Sequence, residues 1–278
     1  MTSATLTLSA RPRLQAWSAT ALASATIFWF VATVIGQSIF AVYILALYGG
    51  SGVRGNFKGW NQVMTHGHVV GDMAGNLVTG AHLLLAMLIM LGGALQLVPQ
   101  VRRRAPAFHR WNGRVYLAGA AVAALSGLYM VWLRGAVGDM VQHVGTSLNA
   151  VLVLFFAGLA LRRALQRDVA AHSRWALRLF LAVSGVWFFR VGLMFWIVIH
   201  GGPSGFNPDT FTGPFLGFLS YAQYLLPLTV LQLYLLCRDH GGTAARFGMA
   251  ALLVLCTVAM SIGIVVATMG MWLPNIKW

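Results

Sequence analysis

Long apolar runs recur along almost the whole chain and constrain its fold more than any other feature. A run of about 18 residues or more can cross the hydrocarbon core of a bilayer as a helix. The polar stretches between these runs are short, which predicts an all-α, polytopic transmembrane bundle; a β-barrel would show alternating segments of about ten residues. We predict a single transmembrane domain over residues 1–278. Its seven spans, span 1 to span 7, cover approximately residues 17–48, 78–98, 115–133, 141–161, 179–199, 215–236 and 247–273.

The composition and the placement of charge agree with this class. Hydrophobic residues make up 59% of the chain and charged residues only 9%, whereas charged residues are about a quarter of a typical soluble domain. The net charge of +14 does not indicate nucleic-acid binding, because the arginines lie in short loops between apolar runs. If the N-terminus is inside, the inner side holds Arg11, Arg13, Arg102, Arg103, Arg104, Arg110, Arg114, Arg162, Arg163, Arg167, Arg174, Arg178, Arg238 and Arg246. The outer side holds only Arg54, Lys58, Arg134 and Lys277. This bias predicts an N-in, C-out, multi-pass membrane protein.

The segment 102–116, between spans 2 and 3, reads RRRAPAFHRWNGRVY and is the densest group of polar side chains in the chain. Its R-W-x-x-R motif recurs before span 5, and each copy follows a histidine. His82 and His143 begin the two hairpins at similar distances from the motif tryptophan, which suggests that spans 2–3 and spans 4–5 are parallel repeats. The alternative is that arginine and tryptophan simply gather at the inner interface.

The inner arginines can bind the phosphates of anionic lipids, or they can serve only to orient the bundle. The arginines that we expect to bind lipid or another anion are Arg102, Arg103, Arg104, Arg110, Arg114, Arg174 and Arg178.

Histidines near the outer ends of the spans are the candidates for cofactor chemistry, because imidazole is the commonest metal ligand. His82 would lie about one turn inside span 2, and His143 and His200 would mark the outer ends of spans 4 and 5. A haem b needs two histidines at similar depth on facing helices, which His82 with either of the others could supply. Copper or zinc needs three nitrogens, or two nitrogens and a carboxylate such as that of Asp139. The alternative is that His82 and His143 are hydrogen-bonded helix-end residues.

Arg190 lies near the middle of span 5, where an arginine costs about 2.5–3.5 kcal/mol on insertion scales. No acidic residue lies inside any predicted span, which argues against a proton-driven pump. Arg190 should therefore face a quinone or lipid head group, or it should be a structural hub bonded to carbonyls or neutral side chains. The neutral side chains considered are Gln96, Ser126, Tyr129, Gln223 and Gln232.

At these residues the chain resembles a family of predicted bacterial membrane proteins, the domain of unknown function twenty-three-zero-six. The resemblance covers about residues 80–190. It rests on His82, Gly92, Gln96, Pro99, Arg102–Arg104, the block H-R-W-x-G-R-x-Y from His109, the block H-x-R-W-x-x-R from His172, and Arg190. The family implies an inner-membrane location and brings no established reaction.

Three classes of function follow from these observations. The first is a redox or metal-handling membrane protein, with haem b or copper at the outer histidines and a quinone or haem propionate at Arg190. The second is a non-catalytic accessory or assembly subunit that binds anionic lipid and another membrane complex or a second copy of itself. The third is a small-molecule transporter, indicated only by Arg190 and by a kink expected at Pro227. No motif identifies a catalytic residue or decides whether the protein is an enzyme.

Overall fold

The computed structural model describes residues 3–276, with side chains from residue 12 onward. The side chain of Arg11 and the whole of Lys277, which both enter the charge count, lie outside this part. The described chain is helical and contains no strand. Six of its helices are long and apolar enough to cross a membrane, and a bent pair of helices forms a seventh candidate span. The prediction of an all-α, multi-span bundle is confirmed, and the N-in orientation stays a prediction.

The observed helices follow the predicted spans. Their bounds are Ser3–Ile44 for span 1, Met73–Leu97 for span 2, Pro106–Trp132 for span 3, Met140–Leu165 for span 4, Val169–Val183 with Gly185–His200 for span 5, Pro214–His240 for span 6 and Thr243–Ala267 for span 7. Span 1 continues through a π-helical turn, Leu45–Gly49, and span 7 through another, Thr268–Trp272. Three short helices lie in the loops after spans 1 and 2: Gly50–Val53, Phe57–Gln62 and Pro99–Arg104. Pro227 lies inside the helix of span 6, and the kink expected there stays a prediction.

Aspartates determine where three of the spans begin. Asp72, Asp139 and Asp168 precede spans 2, 4 and 5, and each accepts a hydrogen bond from the backbone N–H three residues later, at 2.8, 3.0 and 3.0 Å. An N-terminal cap of this kind satisfies one of the N–H groups that a helix start leaves unpaired. Three of the five carboxylates in the chain therefore serve as helix caps.

Span 5 is bent by 53° at the junction of its two helices. Side-chain amides from two other spans reach this break. Asn149 of span 4 donates to the carbonyl oxygen of Ala182 at 3.1 Å, and Gln37 of span 1 donates to the Ser184 hydroxyl at 2.9 Å. A β-carbon on Gly185 would lie 2.6 Å from the Asn149 amide nitrogen, so the contact requires glycine there. The bond from Asn149 satisfies a backbone carbonyl at the break inside the membrane, and the bond from Gln37 joins span 1 to the same place.

Arg134, at the end of span 3, forms hydrogen bonds and a salt bridge with the loop before span 2 and with the start of that span. Its Nε donates to the carbonyl of His66 at 2.7 Å, and its Nη1 forms a salt bridge with Asp72, also at 2.7 Å. Its Nη2 donates to the carbonyl of Gly67 at 3.3 Å and to Asn76 Oδ1. The residue is only 9% exposed. The sequence analysis counted Arg134 only as a charge of the outer side, whereas the structure shows it buried and bonded to the loop before span 2.

Candidate functional site

His143 and His200 are two of the proposed ligands. Each has a ring nitrogen within hydrogen-bond distance of a nearby backbone carbonyl. His143 Nε2 lies 3.2 Å from the carbonyl oxygen of Ala136, and its ring meets the edge of Trp132 at 6.0 Å. His200 Nδ1 lies 2.9 Å from the carbonyl oxygen of Trp196, whose ring centre is 3.8 Å from that of the histidine. Both contacts suit hydrogen-bonded helix-end residues.

His82 lies in the bundle on the face of span 2 that meets span 3. Its Nδ1 is 2.9 Å from the hydroxyl oxygen of Ser126, and that hydroxyl lies 2.8 Å from the carbonyl of Val122. Because the single hydroxyl proton is directed to a carbonyl, the network assigns the proton of the neutral imidazole to Nδ1. The Nε2 atom of His82 then carries a lone pair that can accept a proton or bind a metal.

The described residues contain no group of three or more histidine, cysteine, aspartate or glutamate side chains that could hold a metal ion. His82, His143, His200 and Asp139 therefore do not assemble into a three-ligand copper or zinc site in this part of the chain. Asp139 has a different role, since its Oδ1 caps span 4. Haem b ligation, which needs only two histidines, stays a prediction.

Arg190 lies in the second helix of span 5, beyond the bend. Its Nη1 donates to the carbonyl of Val186, on the same helix, at 3.2 Å, and its guanidinium carbon is 5.3 Å from the ring centre of Phe40. Within residues 12–276 it forms no salt bridge. The expectation of a carbonyl partner is confirmed, whereas none of the five neutral side chains considered is hydrogen-bonded to it. Gln223, for example, donates to a carbonyl of its own helix instead.

Phe40, the ring that contacts Arg190, belongs to a group of aromatic side chains from both ends of the sequence. Tyr43 and Tyr48, at the end of span 1, are within electrostatic range of the Arg190 guanidinium, as is His82. Trp272 packs against two of these rings: its ring centre lies 5.1 Å from that of Phe40 and 6.3 Å from that of Tyr43. We call these six residues, Arg190, His82, Phe40, Tyr43, Tyr48 and Trp272, the Arg190 cluster.

The cluster combines deep burial with hydrogen-bond donors that have no partner. Tyr43 is 3% exposed and Trp272 is 1% exposed. The Tyr43 hydroxyl and the Trp272 Nε1 have no hydrogen-bond partner among the described residues. Buried polar groups are nearly always paired, so such donors need an explanation. These two donors and the guanidinium make the Arg190 cluster the candidate site for a ligand that accepts hydrogen bonds.

Sequence reasoning found Arg190 and His82 but missed the aromatic members. Tyr48 and Trp272 lie in the two π-helical turns, Leu45–Gly49 and Thr268–Trp272. Such turns often occur at functional sites, but no residue pattern in the sequence reveals them. Aromatic residues at span ends also occur as ordinary interface anchors, so the sequence held no specific signal for these side chains.

The arginine-rich end of the bundle divides into two environments. Arg102, Arg103, Arg104, Arg110 and Arg114 are exposed. Arg174 instead forms a salt bridge with Asp239 at 2.9 Å, and Arg178 donates to Gln232 at 2.8 Å. Lipid or anion binding by these arginines stays a prediction.

The two R-W-x-x-R motifs also differ in their surroundings. Trp111 is 68% exposed, whereas Trp175 packs against Phe156 at 5.8 Å and lies under Arg178 at 4.9 Å. The first hairpin contains the short helix Pro99–Arg104, and the second contains the bend in span 5. The proposed repeat therefore stays a prediction.

Comparison with known proteins bears on the same region. Residues 79–213 match the family model described as predicted membrane protein (DUF2306). This range contains His82, both motif copies and Arg190, and it corresponds to the resemblance expected from those residues. No curated protein and no solved structure gives a significant match. Residues 79–213 of the chain are thus similar to the DUF2306 family of predicted membrane proteins, a family of unknown function.

Proposed function

We propose that the protein binds a lipid-soluble quinone, with the oxygen-bearing ring held by the Arg190 cluster. The observation that carries the proposal is the guanidinium of Arg190, which donates only one hydrogen bond within the described chain, at 3.2 Å to its own helix. An arginine has five N–H donors. An arginine inside a membrane is expensive and commonly marks a ligand or ion site.

The chemistry of the cluster favours a ligand that accepts hydrogen bonds. The guanidinium, the Tyr43 hydroxyl and the Trp272 Nε1 are all donors, and the latter two are unpaired. A quinone presents two carbonyl oxygens on a flat ring. The rings of Phe40, Tyr43 and Trp272 pack against one another, and a flat quinone ring is suited to join such an aromatic group. A small hydrated anion would gain little from these surfaces.

His82 gives the proposed site a group that can exchange protons. The lone pair assigned to Nε2 could accept a proton from the hydroxyl of a reduced quinone, and the hydrogen bond from Nδ1 to Ser126 would keep the ring oriented. A redox role for the protein, with haem b as the electron partner, remains part of the proposal. An absorption spectrum with a Soret band, or metal found by elemental analysis of the purified protein, would support that part.

Titration of the purified, delipidated protein with a short-tailed benzoquinone tests the binding step, with quenching of tryptophan fluorescence as the readout. Hydrogen bonds from charged groups contribute about 1.5–3 kcal/mol, so Arg190→Gln should weaken binding by roughly 10- to 150-fold. Tyr43→Phe removes a neutral donor, worth about 0.5–1.5 kcal/mol, and should weaken binding by roughly 2- to 10-fold.

The matched control is Arg54→Gln, which removes an exposed arginine from the loop after span 1. This variant should bind the quinone as the wild type does. Binding by Arg190→Gln within about twofold of the wild type would overturn the proposal. An equal loss in Arg54→Gln would also overturn it, because the effect would then reflect net charge alone.

A further inference from the structure

A groove of about 430 Å³ runs along the bundle between spans 5, 6 and 7, with span 1 behind it. Its walls are almost entirely apolar and include Phe188 of span 5, Leu226 of span 6, Ala259 of span 7 and Thr26 of span 1. The volume is within the range of about 300–1,000 Å³ that is usual for small-molecule sites. A transmembrane helix is about 10 Å across and needs more room, so the groove suits a narrow apolar chain.

The lining of the groove extends along most of span 6. Along span 6 its lining runs from Phe215 to Arg238, a distance of about 35 Å at 1.5 Å per residue. The part between Pro227 and Arg238 is about 16 Å long. That length is about half of the 30 Å hydrocarbon core of a bilayer, so this part matches a chain that belongs to one leaflet.

Arginines surround the groove where it ends at Arg238. The Nε of Arg238 bonds to Asp239 at 2.7 Å, and Arg174 bonds to the same carboxylate at 2.9 Å. Arg246 donates to the carbonyl of Arg238 at 3.4 Å, and Arg178 donates to the carbonyl of Arg174 at 3.1 Å. Two of these four guanidiniums, those of Arg238 and Arg174, contact the one carboxylate, so the mouth of the groove carries an excess of positive charge.

We propose that this groove binds an anionic phospholipid from the arginine-rich side of the membrane. One acyl chain would lie between spans 5 and 6 from Arg238 towards Pro227, and the phosphate would lie among Arg238, Arg246 and Arg174. The charge of the mouth and the apolar walls below it lie at the depths of a phospholipid head group and its tail. This site differs from the Arg190 cluster in its residues, so either proposal can fail without the other.

Native mass spectrometry of the protein, reconstituted with phosphatidylglycerol and phosphatidylcholine of identical chains, measures the preference. Each arginine near an anionic surface adds roughly fivefold to binding. The wild type should therefore retain phosphatidylglycerol preferentially, and Arg238→Gln with Arg246→Gln should reduce this preference by roughly 25-fold. Leu226→Trp, which fills the groove, should release both lipids. Ala222→Leu serves the same purpose if the tryptophan variant does not fold.

The matched control carries Arg13→Gln with Arg162→Gln, an equal loss of charge at exposed arginines that neither line the groove nor belong to the arginines expected to bind lipid. It should keep the preference of the wild type. The proposal is overturned if the control loses as much as the variant at the groove, or if neither the charge variant nor the filled groove changes lipid retention. Glycerol phosphate that displaces the lipid at equal concentration would show a phosphate site without a tail site, which also overturns it.

Discussion

Replacing Arg190 by methionine should leave the stability of the ligand-free protein almost unchanged. The variant loses one hydrogen bond at 3.2 Å and the contact with Phe40 at 5.3 Å. A hydrogen bond from a charged group is worth about 1.5–3 kcal/mol, and a cation–π contact about 0.5–1 kcal/mol. Removal of the charge from the membrane interior stabilises the protein by about 2.5–3.5 kcal/mol. Gains and losses therefore cancel to within about 1.5 kcal/mol.

Arg134→Met is the matched control, because the same chemical change should have the opposite outcome there. Arg134 has a salt bridge and bonds to two carbonyls and an asparagine. Removing one partner of a buried ion pair costs about 3–5 kcal/mol. The side chain of Asp72 is 37% exposed, so water can partly replace the guanidinium. We therefore expect a loss of about 3 kcal/mol, the lower end of that range.

Thermal unfolding of the delipidated proteins in detergent micelles, followed by circular dichroism, compares the two variants. Arg190→Met should unfold close to the wild type, and Arg134→Met should unfold at a clearly lower temperature. If Arg190→Met is destabilised as much as Arg134→Met, Arg190 is a structural hub. The main argument for a ligand at the Arg190 cluster would then be lost.

Two further predictions concern helix contacts and caps. A β-carbon at Gly263 would lie 2.4 Å from the carbonyl oxygen of Val191, so Gly263→Ala should lower the free energy of unfolding by about 1–3 kcal/mol. A β-carbon at Gly248 meets nothing within 4 Å, so Gly248→Ala should be neutral or stabilising in the same unfolding assay. Asp139→Ala should cost about 1 kcal/mol through loss of the cap, and Asp139→Asn should restore it; a metal bound by the carboxylate would instead disappear in both variants, as elemental analysis would show.

The spans could be predicted from the sequence because the bilayer imposes their length and apolar character. The residues at which the helices begin and end were harder to predict. Span 3 begins at Pro106, within the basic segment, because a proline at the first turn suits a helix start. No proline in span 5 marks the position of its bend in the sequence. The bend depends on amides from spans 1 and 4, and the sequence does not say which spans are neighbours.

The same limit applies to the Arg190 cluster. Arg190 and His82 attract attention in the sequence because ionisable groups are costly in apolar spans. Tyr43 and Trp272 carry no such signal, and their meeting depends on the packing of span 1 against span 7. A single ionisable residue thus identifies a candidate site, and only the packing shows which groups surround it.

The bend in span 5 explains how one span takes part in both proposed sites. Arg190 lies six residues beyond Ser184, or about 9 Å along the helix. If the helix continued straight, a bend of 53° would be undone and Arg190 would move by on the order of 8 Å. The guanidinium could not then lie over Phe40. An opened helix inside a membrane costs several kcal/mol for each polar group left unpaired. The amides of Gln37 and Asn149 offset that cost, and the bend they stabilise directs Arg190 towards spans 1 and 7.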